Sequence, residues 1–336
     1  MAKVVLHIGT HKTATTTIQD MLVHNAALLA QQGVIYPKLG RANGHHGLVT
    51  DWNHALPLIY AYPEGSLGTL RQINEAHASG DQTVFLSSEE FSRGRPDSKP
   101  DFTAIRAALA GFERIEVVCV LREQWQFIQS IYLEVAKSRQ PPRPPQIIDT
   151  ALLEDMVEGL WTDYNLLYDH LLDSFAPDEI TFLDFDQSRK APGGMLGVML
   201  RHLGVTLDPA ALALVNEGRS NASPGALPTW AANIIAEPGV APPWLIESMT
   251  GAFEVQFSTG APSRIWTREE CRTLVGYGAR NNTRLAERLS RWQPGFALTR
   301  TDLATSSGVF REDLPADFWI RASRWTFAAA RRMLAF

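Results

Sequence analysis

The segment from Val4 to Thr17, V-V-L-H-I-G-T-H-K-T-A-T-T-T, constrains the fold more than any other part of the chain. A short β-branched apolar run bounded by a glycine reads as a strand buried in a parallel sheet. Behind it comes a loop of small residues holding Lys12, and then a helical pattern begins. A helix N-terminus leaves backbone N–H groups unpaired and carries partial positive charge, so it attracts anions such as phosphate or sulfate. Lys12 adds a full charge on a flexible stem. The unit predicted is strand, anion-binding loop and helix.

A second segment repeats the logic. Glu116 to Leu121, E-V-V-C-V-L, is another buried-strand run, and Arg122 follows it directly. Next comes a helix whose core face is set by Ile128, Ile131, Tyr132 and Val135. Ser130 stands off that stripe, so Arg122 and Ser130 are both expected to face the crevice at the carboxyl ends of the strands, where open α/β sheets bind ligands.

The rest of the chain supplies the remaining layers. Thr16 to Gln32 predicts a helix with Ile18, Met21, Leu22, Leu28 and Leu29 inward and Gly33 as its stop, before a short strand over Val34 to Tyr36. Residues 37–80, rich in Gly, His, Pro and Asn, predict a loop-and-short-helix cap. Thr83 to Ser87 is the next strand, and a helix follows near Phe102 to Leu109. Gln140 to Gln146, Q-P-P-R-P-P-Q, predicts a stiff non-helical linker. Leu153, Met156, Leu160, Tyr164, Leu167 and Leu171 recur at helical spacing and predict one long helix. Ile180 to Phe185 is a strand, and Met195 to Leu203 a helix. Beyond Leu227 the chain is mostly helical, with a capping box at Thr267 and Glu270.

The loop does not satisfy the nucleotide-triphosphatase pattern G-x-x-x-x-G-K-[ST], because Lys12 lies three residues after Gly9 and Ala14 takes the place of a second glycine. Lys12, Thr13, Ala14, Thr15 and Thr16 instead resemble the 5′-phosphosulfate loop of the sulfotransferase family, usually K-[ST]-G-T-T. Ala14 is the departure, since a Cβ is unfavourable there if the backbone is left-handed. V-L-R-E-Q-W-Q-F-I-Q-S-I-Y, holding Arg122 and Ser130, resembles the same family's 3′-phosphate motif. The likeness extends over roughly residues 3 to 223.

That resemblance implies an α/β fold, a central parallel sheet flanked by helices (the P-loop NTPase-like sulfotransferase fold), with a mostly helical C-terminal extension. It implies a single domain over 1–336, with a donor-binding core at 1–223 that includes the cap and an extension at 224–336. The implied activity is transfer of a sulfuryl group from 3′-phosphoadenosine 5′-phosphosulfate to a hydroxyl acceptor, be it carbohydrate, lipid-linked or small molecule, without a metal. Adenosine 3′,5′-bisphosphate is the product. Thr10, His11, Lys12, Thr13, Ala14, Thr15 and Thr16 would hold the phosphosulfate, with Arg122 and Ser130 on the 3′-phosphate. Asn221, within R-S-N-A-S-P and beside Arg219, Ser220 and Ser223, would close over the nucleotide. A small-molecule kinase with a variant loop and a non-catalytic nucleotide-binding protein are the alternatives.

Lys12 is the natural partner of the leaving oxygen. For the base, strand T-V-F-L-S runs into Ser88, Glu89 and Glu90, which places carboxylates at the active edge of the sheet; the family pattern favours Glu89, with Glu90 as alternate. His45, His46 and His54 of the cap offer a second source, of which His46 is favoured to meet the acceptor. Trp52 and Tyr60 suggest an aromatic acceptor lining.

Composition sets outer limits. At 336 residues and 45% hydrophobic content the chain can bury a large core, and a net charge of -5 argues against a nucleic-acid binder. Cys119 and Cys271 form neither a disulfide framework nor a metal motif, and the first strand begins too early for a signal peptide, so a cytoplasmic protein is expected. The tail from Phe318 to Phe336 mixes tryptophans with Arg321, Arg324, Arg331 and Arg332, which suits peripheral contact with an anionic membrane, or packing on its own domain or on a sister subunit.

Overall fold

The computed structural model describes residues 2–95, 97–215 and 225–334. These form two compact units. The first comprises residues 2–122, 158–215 and 280–299, and the second 123–157, 225–279 and 300–334.

In chain order the elements of the first half are β1 (Lys3–His7), α1 (Thr15–His24), α2 (Ala26–Gln31), β2 (Val34–Ile35), α3 (Gly65–His77), β3 (Thr83–Ser87), α4 (Phe102–Ala108), β4 (Arg114–Leu121), α5 (Gln124–Val135) and α6 (Pro144–Glu154). Then follow β5 (Met156–Val157), β6 (Leu160–Trp161), α7 (Tyr164–Leu172), β7 (Ile180–Asp184), α8 (Phe185–Lys190), α9 (Gly194–His202), α10 (Ala226–Ala236) and α11 (Pro243–Phe257). The chain ends with β8 (Ser263–Arg264), α12 (Arg268–Leu289), β9 (Val309–Phe310) and α13 (Ala316–Leu334).

The first unit is built on a five-stranded parallel sheet in the order β2-β3-β1-β4-β7. Every residue from Val117 to Leu121 is fully buried, as a strand covered on both faces requires. Val5, Phe85, Val118 and Val120 point to one face and join a core with Ile18, Met21, Leu22 and Leu29 of the first two helices and Met199 and Leu200 of α9. On the opposite face Tyr168 of α7 meets Phe182 of β7 edge to face at 5.7 Å, and Phe102 of α4 contacts Phe175 at 5.5 Å.

Several expectations change. The first helix breaks at Asn25, whose side chain bonds the Met21 carbonyl and both main-chain groups of Ala213. The cap contains a 13-residue helix, α3; its buried face is Ser66, Thr69, Leu70 and Ile73, too polar to give a strong apolar period. The proline-rich stretch is not a pure linker, because Pro144 and Pro145 occupy the first turn of α6, where a missing N–H does no harm. The long helix predicted through Leu153 to Leu171 is instead α6, two short extended pieces and α7. Asp155, Glu158 and Gly159 all have positive φ, which no helix accommodates, and Leu153 is 84% exposed. Asp163 restarts the helix by capping Asn165 N.

The stretch 280–299 belongs to the sheet-bearing unit rather than to a separate extension. Arg288 pairs with Asp169 and lies over the Tyr168 ring. Gln293 offers its amide to the outer edge of β7, accepting from Phe182 N at 3.0 Å and donating to Phe182 O. One side chain thus supplies what a sixth strand would, and the edge is blunted.

In the second unit, α10, α11 and α13 share a core of Leu227, Leu245, Met249, Phe253, Phe318 and Ala322, while β8 and β9 pair in parallel. The inner face of the tail helix is therefore packed, and Ile320 and Phe327 remain exposed. The Thr267 capping box forms reciprocally, at 2.8 and 3.2 Å. Among the described residues no helix is long and apolar enough to cross a membrane.

Replacing Gln293 with Ala leaves the Phe182 N–H and C=O without partners. A loss of about 1–3 kcal/mol in unfolding free energy is expected in urea titrations; an unchanged midpoint would show that water covers the edge equally well.

Candidate active site

The strand register places the carboxyl ends of β1 and β3 side by side, with β4 running on to Leu121. His7 aligns with Ser87 on one side and Val118 on the other, and Ser88 N continues the pairing to His7 O at 3.0 Å. The loops leaving β1 and β3 therefore emerge together at the site edge of the sheet.

The β1 loop is pinned at both ends. Thr10 gives its N–H (3.2 Å) and its hydroxyl (2.9 Å) to the Val120 carbonyl, and Thr13 Oγ1 donates to Thr10 O at 2.5 Å. Gly9 is required by close approach, because a Cβ there would sit 2.8 Å from His7 Nε2. Lys12 and Ala14 are both left-handed at φ 65°, and Thr13 between them is not. Such alternation turns successive N–H groups to one side, forming a concavity suited to an anion. Ala14 thus holds the strained conformation that glycine normally takes, as the N-cap of α1. Thr15 opens the helix with its side chain buried, and its hydroxyl has no hydrogen-bond partner. A buried hydroxyl without a partner, next to the first turn of a helix, leaves hydrogen-bonding capacity unused at this loop. Lys12 is half-buried, and Thr16 is exposed.

The two adjacent glutamates have different environments. Glu90 is fully engaged: Oε1 accepts from His11 Nε2 at 3.0 Å, and Oε2 from Asn53 Nδ2 at 2.9 Å and Arg93 Nε at 2.8 Å. Burial pushes its pKa up, but the His11 hydrogen bond and charge together with the Arg93 guanidinium outweigh that and hold it well below the usual carboxylate range. A carboxylate so satisfied is a poor proton acceptor, and Glu90 serves as an anchor that ties the β1 loop, the cap and the turn after β3 together. This removes it as the alternate base. It also shows His11 turning its ring toward Glu90, leaving its backbone to the loop.

Glu89 faces the other way. Its Oε2 accepts from Gln19 Nε2 at 3.3 Å and lies 4.0 Å from His46 Nδ1. His46 Nδ1 also meets Ser88 Oγ at 3.0 Å, and its ring packs edge-on against Tyr60 at 5.1 Å. The two base candidates from separate segments are thus neighbours, and the imidazole presents Nε2 away from the carboxylate. Gly44 is held small by this group, since a Cβ would fall 2.6 Å from His46 Nε2 and from Gln19 Oε1.

His45 has no such freedom. Its Nδ1 accepts from Ser87 N at 3.0 Å and its Nε2 donates to Pro37 O at 2.8 Å, which fixes one neutral tautomer. Burial pushes its pKa down to about 4 despite the opposing pull of the Pro37 carbonyl. His54 is exposed, and Trp52 is half-buried. Among the described residues no group of three His, Cys, Asp or Glu is arranged to hold a metal ion.

Arg122 ends the first unit with its guanidinium over the Phe185 ring at 5.1 Å and its carbonyl accepting from Tyr164 Oη at 2.6 Å. Ser130 belongs to the second unit. It is buried, and its hydroxyl donates to Phe127 O at 2.6 Å rather than standing open. Asn221, with Arg219, Ser220 and Ser223, lies outside the described residues.

Gln19, Ser88, Asn53 and Arg93 carry the site's internal bonds and had no motif to announce them. Gln19 alone left a trace, sitting one helical turn from Thr15 at i+4 and so on the same face.

Among the solved structures that resemble the chain are two sulfotransferases. The sulfotransferase from Alicyclobacillus acidocaldarius gives a TM-score of 0.48 at 12% identity, covering 86% of this chain and 98% of that one. The sulfotransferase domain from the curacin biosynthetic pathway gives 0.36 at 11% identity, covering 82% and 96%. No protein-family model and no curated protein matches the sequence.

Ala14→Gly should remove the left-handed Cβ penalty and raise stability by up to about 1 kcal/mol, after the opposing gain in unfolded-chain entropy. Calorimetry checks this, and a lowered melting temperature would mean that the methyl's packing matters more than the backbone.

Stability should also fall in mild acid. Unfolded histidines bind protons near pH 6.5, whereas His45 and His7, pushed down by burial to about 4 and about 3, stay neutral in the fold. Between those limits the unfolded chain holds more protons, so stability is full above about pH 6.5 and declines as pH drops toward 4. A melting temperature flat from pH 7 to 4.5 would contradict it.

Proposed function

We propose that this protein is a sulfotransferase that moves a sulfuryl group from 3′-phosphoadenosine 5′-phosphosulfate to a hydroxyl acceptor. The observation that carries the reading is the β1 loop: a left-handed Lys12 and Ala14, followed by a buried Thr15 hydroxyl without a partner, at the start of α1. Together with the K-T-A-T-T order, this fits a terminal tetrahedral anion better than a plain turn.

In the proposed reaction the sulfur–oxygen bond to the donor phosphate breaks as a bond to the acceptor oxygen forms. Lys12 and the loop N–H groups stabilise the charge that builds on the leaving phosphate oxygen. The acceptor's proton passes to the Glu89 and His46 pair. With Glu89 4.0 Å from Nδ1, the imidazolium formed by protonation at Nε2 would be stabilised by the carboxylate behind it. Gln19 and Ser88 hold the two groups in place. Arg122 suits the donor's 3′-phosphate because its planar fork bonds phosphate oxygens in pairs.

Lys12→Ala should lower kcat by about 10²–10³ with a smaller change in donor KM, while Arg122→Ala should weaken donor binding by about tenfold or more. Glu89→Gln and His46→Asn should each lower kcat by about 10²–10⁴, and the double variant by little more. The direct test is thermal shift with adenosine 3′,5′-bisphosphate, since a ligand that binds the folded state raises its melting temperature. A shift with ATP and magnesium but none with the bisphosphate would sink the proposal in favour of a kinase.

A further inference from the structure

A cavity of about 530 Å³ opens within the cap of the first unit, walled by Arg41, Gly44, Leu58, Ile59, Tyr60 and Tyr62 among others. It adjoins the proposed base. Tyr60 is the ring packed on His46, and Gly44 is the residue whose missing side chain leaves room for His46 Nε2 and Gln19. The cavity and the imidazole thus have Tyr60 and Gly44 as common neighbours.

The lining is selective. Leu58 and Ile59 are 90% and 61% exposed at the rim, an unusual position for two consecutive large aliphatics, and two tyrosine rings complete the apolar side. Arg41 is the one charged residue on the wall. It is exposed and makes no ion pair or hydrogen bond among the described residues. Lys38, bonded to Ala42 O and Asn43 Oδ1 at 3.3 Å, adds a second positive charge to the same segment. Asn43 in turn donates to Asp20 Oδ1 at 2.8 Å, which sets a carboxylate near Lys38 and leaves Arg41 as the cation on the cavity wall itself.

We infer that this cavity is the acceptor subsite, and that it takes a hydroxyl compound with an aromatic or apolar body and an anionic group read by Arg41. The inference rests on the sulfotransferase reading above and adds the chemistry of the acceptor. The hydroxyl end would lie toward His46, the body against Tyr60, Tyr62 and the aliphatic rim, and the anion would face the guanidinium.

Three phenols with an anionic, a neutral and a cationic side arm separate this from a neutral pocket: 4-hydroxyphenylacetate, p-cresol and tyramine. Binding is measured by calorimetry on the full chain, saturated with adenosine 3′,5′-bisphosphate, so that turnover is not needed. 4-Hydroxyphenylacetate should bind at least tenfold tighter than tyramine, with p-cresol between them. Arg41→Glu, an exposed change with little bearing on folding, should reverse that order, while the thermal shift from the bisphosphate stays as in the parent. Equal binding of the three probes, no binding by any of them, or an order that survives Arg41→Glu would each overturn the inference. A missing bisphosphate shift in the parent protein is a different result, and it removes the sulfotransferase reading itself.

Discussion

Parallel pairing of β1 with both β3 and β4 is the constraint on which the site depends. Because the three strands run the same way in one register, His7 and Ser87 end level, β4 runs on past Val118 to Leu121, and the chain leaves each strand at the same edge of the sheet. The short turns after β1 and β3 then have nowhere to go but toward each other. Thr10 fastens the first turn to Val120 of β4, and Ser88 N extends the β3 pairing by one residue before Glu89 and Glu90 diverge. The contacts of His11 with Glu90 at 3.0 Å and of Gln19 with Glu89 at 3.3 Å are formed at that shared edge.

Adjacent residues with identical side chains then acquire opposite roles from burial and partners. Ser88 caps the turn by accepting from Glu90 N, and past that point Glu90 enters a pocket with His11, Asn53 and Arg93, while Glu89 turns to Gln19 and His46. A carboxylate that satisfies three donors helps organise the fold and has little capacity left for proton transfer. The less enclosed neighbour keeps that capacity. The same division separates His45 from His46: one imidazole uses both nitrogens on main-chain groups of β3 and the cap, and the next keeps Nε2 free.

Legibility from sequence followed the range of the interactions. β1, β3, β4 and β7 were readable because buried parallel strands are short β-branched runs whatever surrounds them, and the Thr267 cap because its partners are three residues apart. The Leu153 to Leu171 stretch misled because its apolar spacing is helical although the backbone is not; Asp155 and Glu158 take positive φ, which leaves no mark in an apolar pattern. α3 was missed for the opposite reason, since a helix that buries Ser66 and Thr69 through hydrogen bonds to Gly47 O and Gly65 O needs few apolar residues. In the site, Lys12, Glu89 and His46 were legible as chemistry-bearing residues in loops. Gln19, Asn53 and Arg93 were not, because they act through partners up to 82 positions away, as in the Arg93 to His11 contact.

The strained backbone at Ala14 bears on function through the same geometry. A glycine there would relax the loop, yet it would also widen the range of conformations open to Lys12 and Thr13. An alanine holds φ at 65° only because Thr10, Thr13 and the α1 start determine the loop from both ends. A loop fixed before any ligand arrives presents its N–H groups already oriented, and the reorganisation that a flexible loop would undergo at each binding event is avoided. The neighbouring cap is built differently, from two short 3-10 turns and α3, with Leu58 and Ile59 exposed.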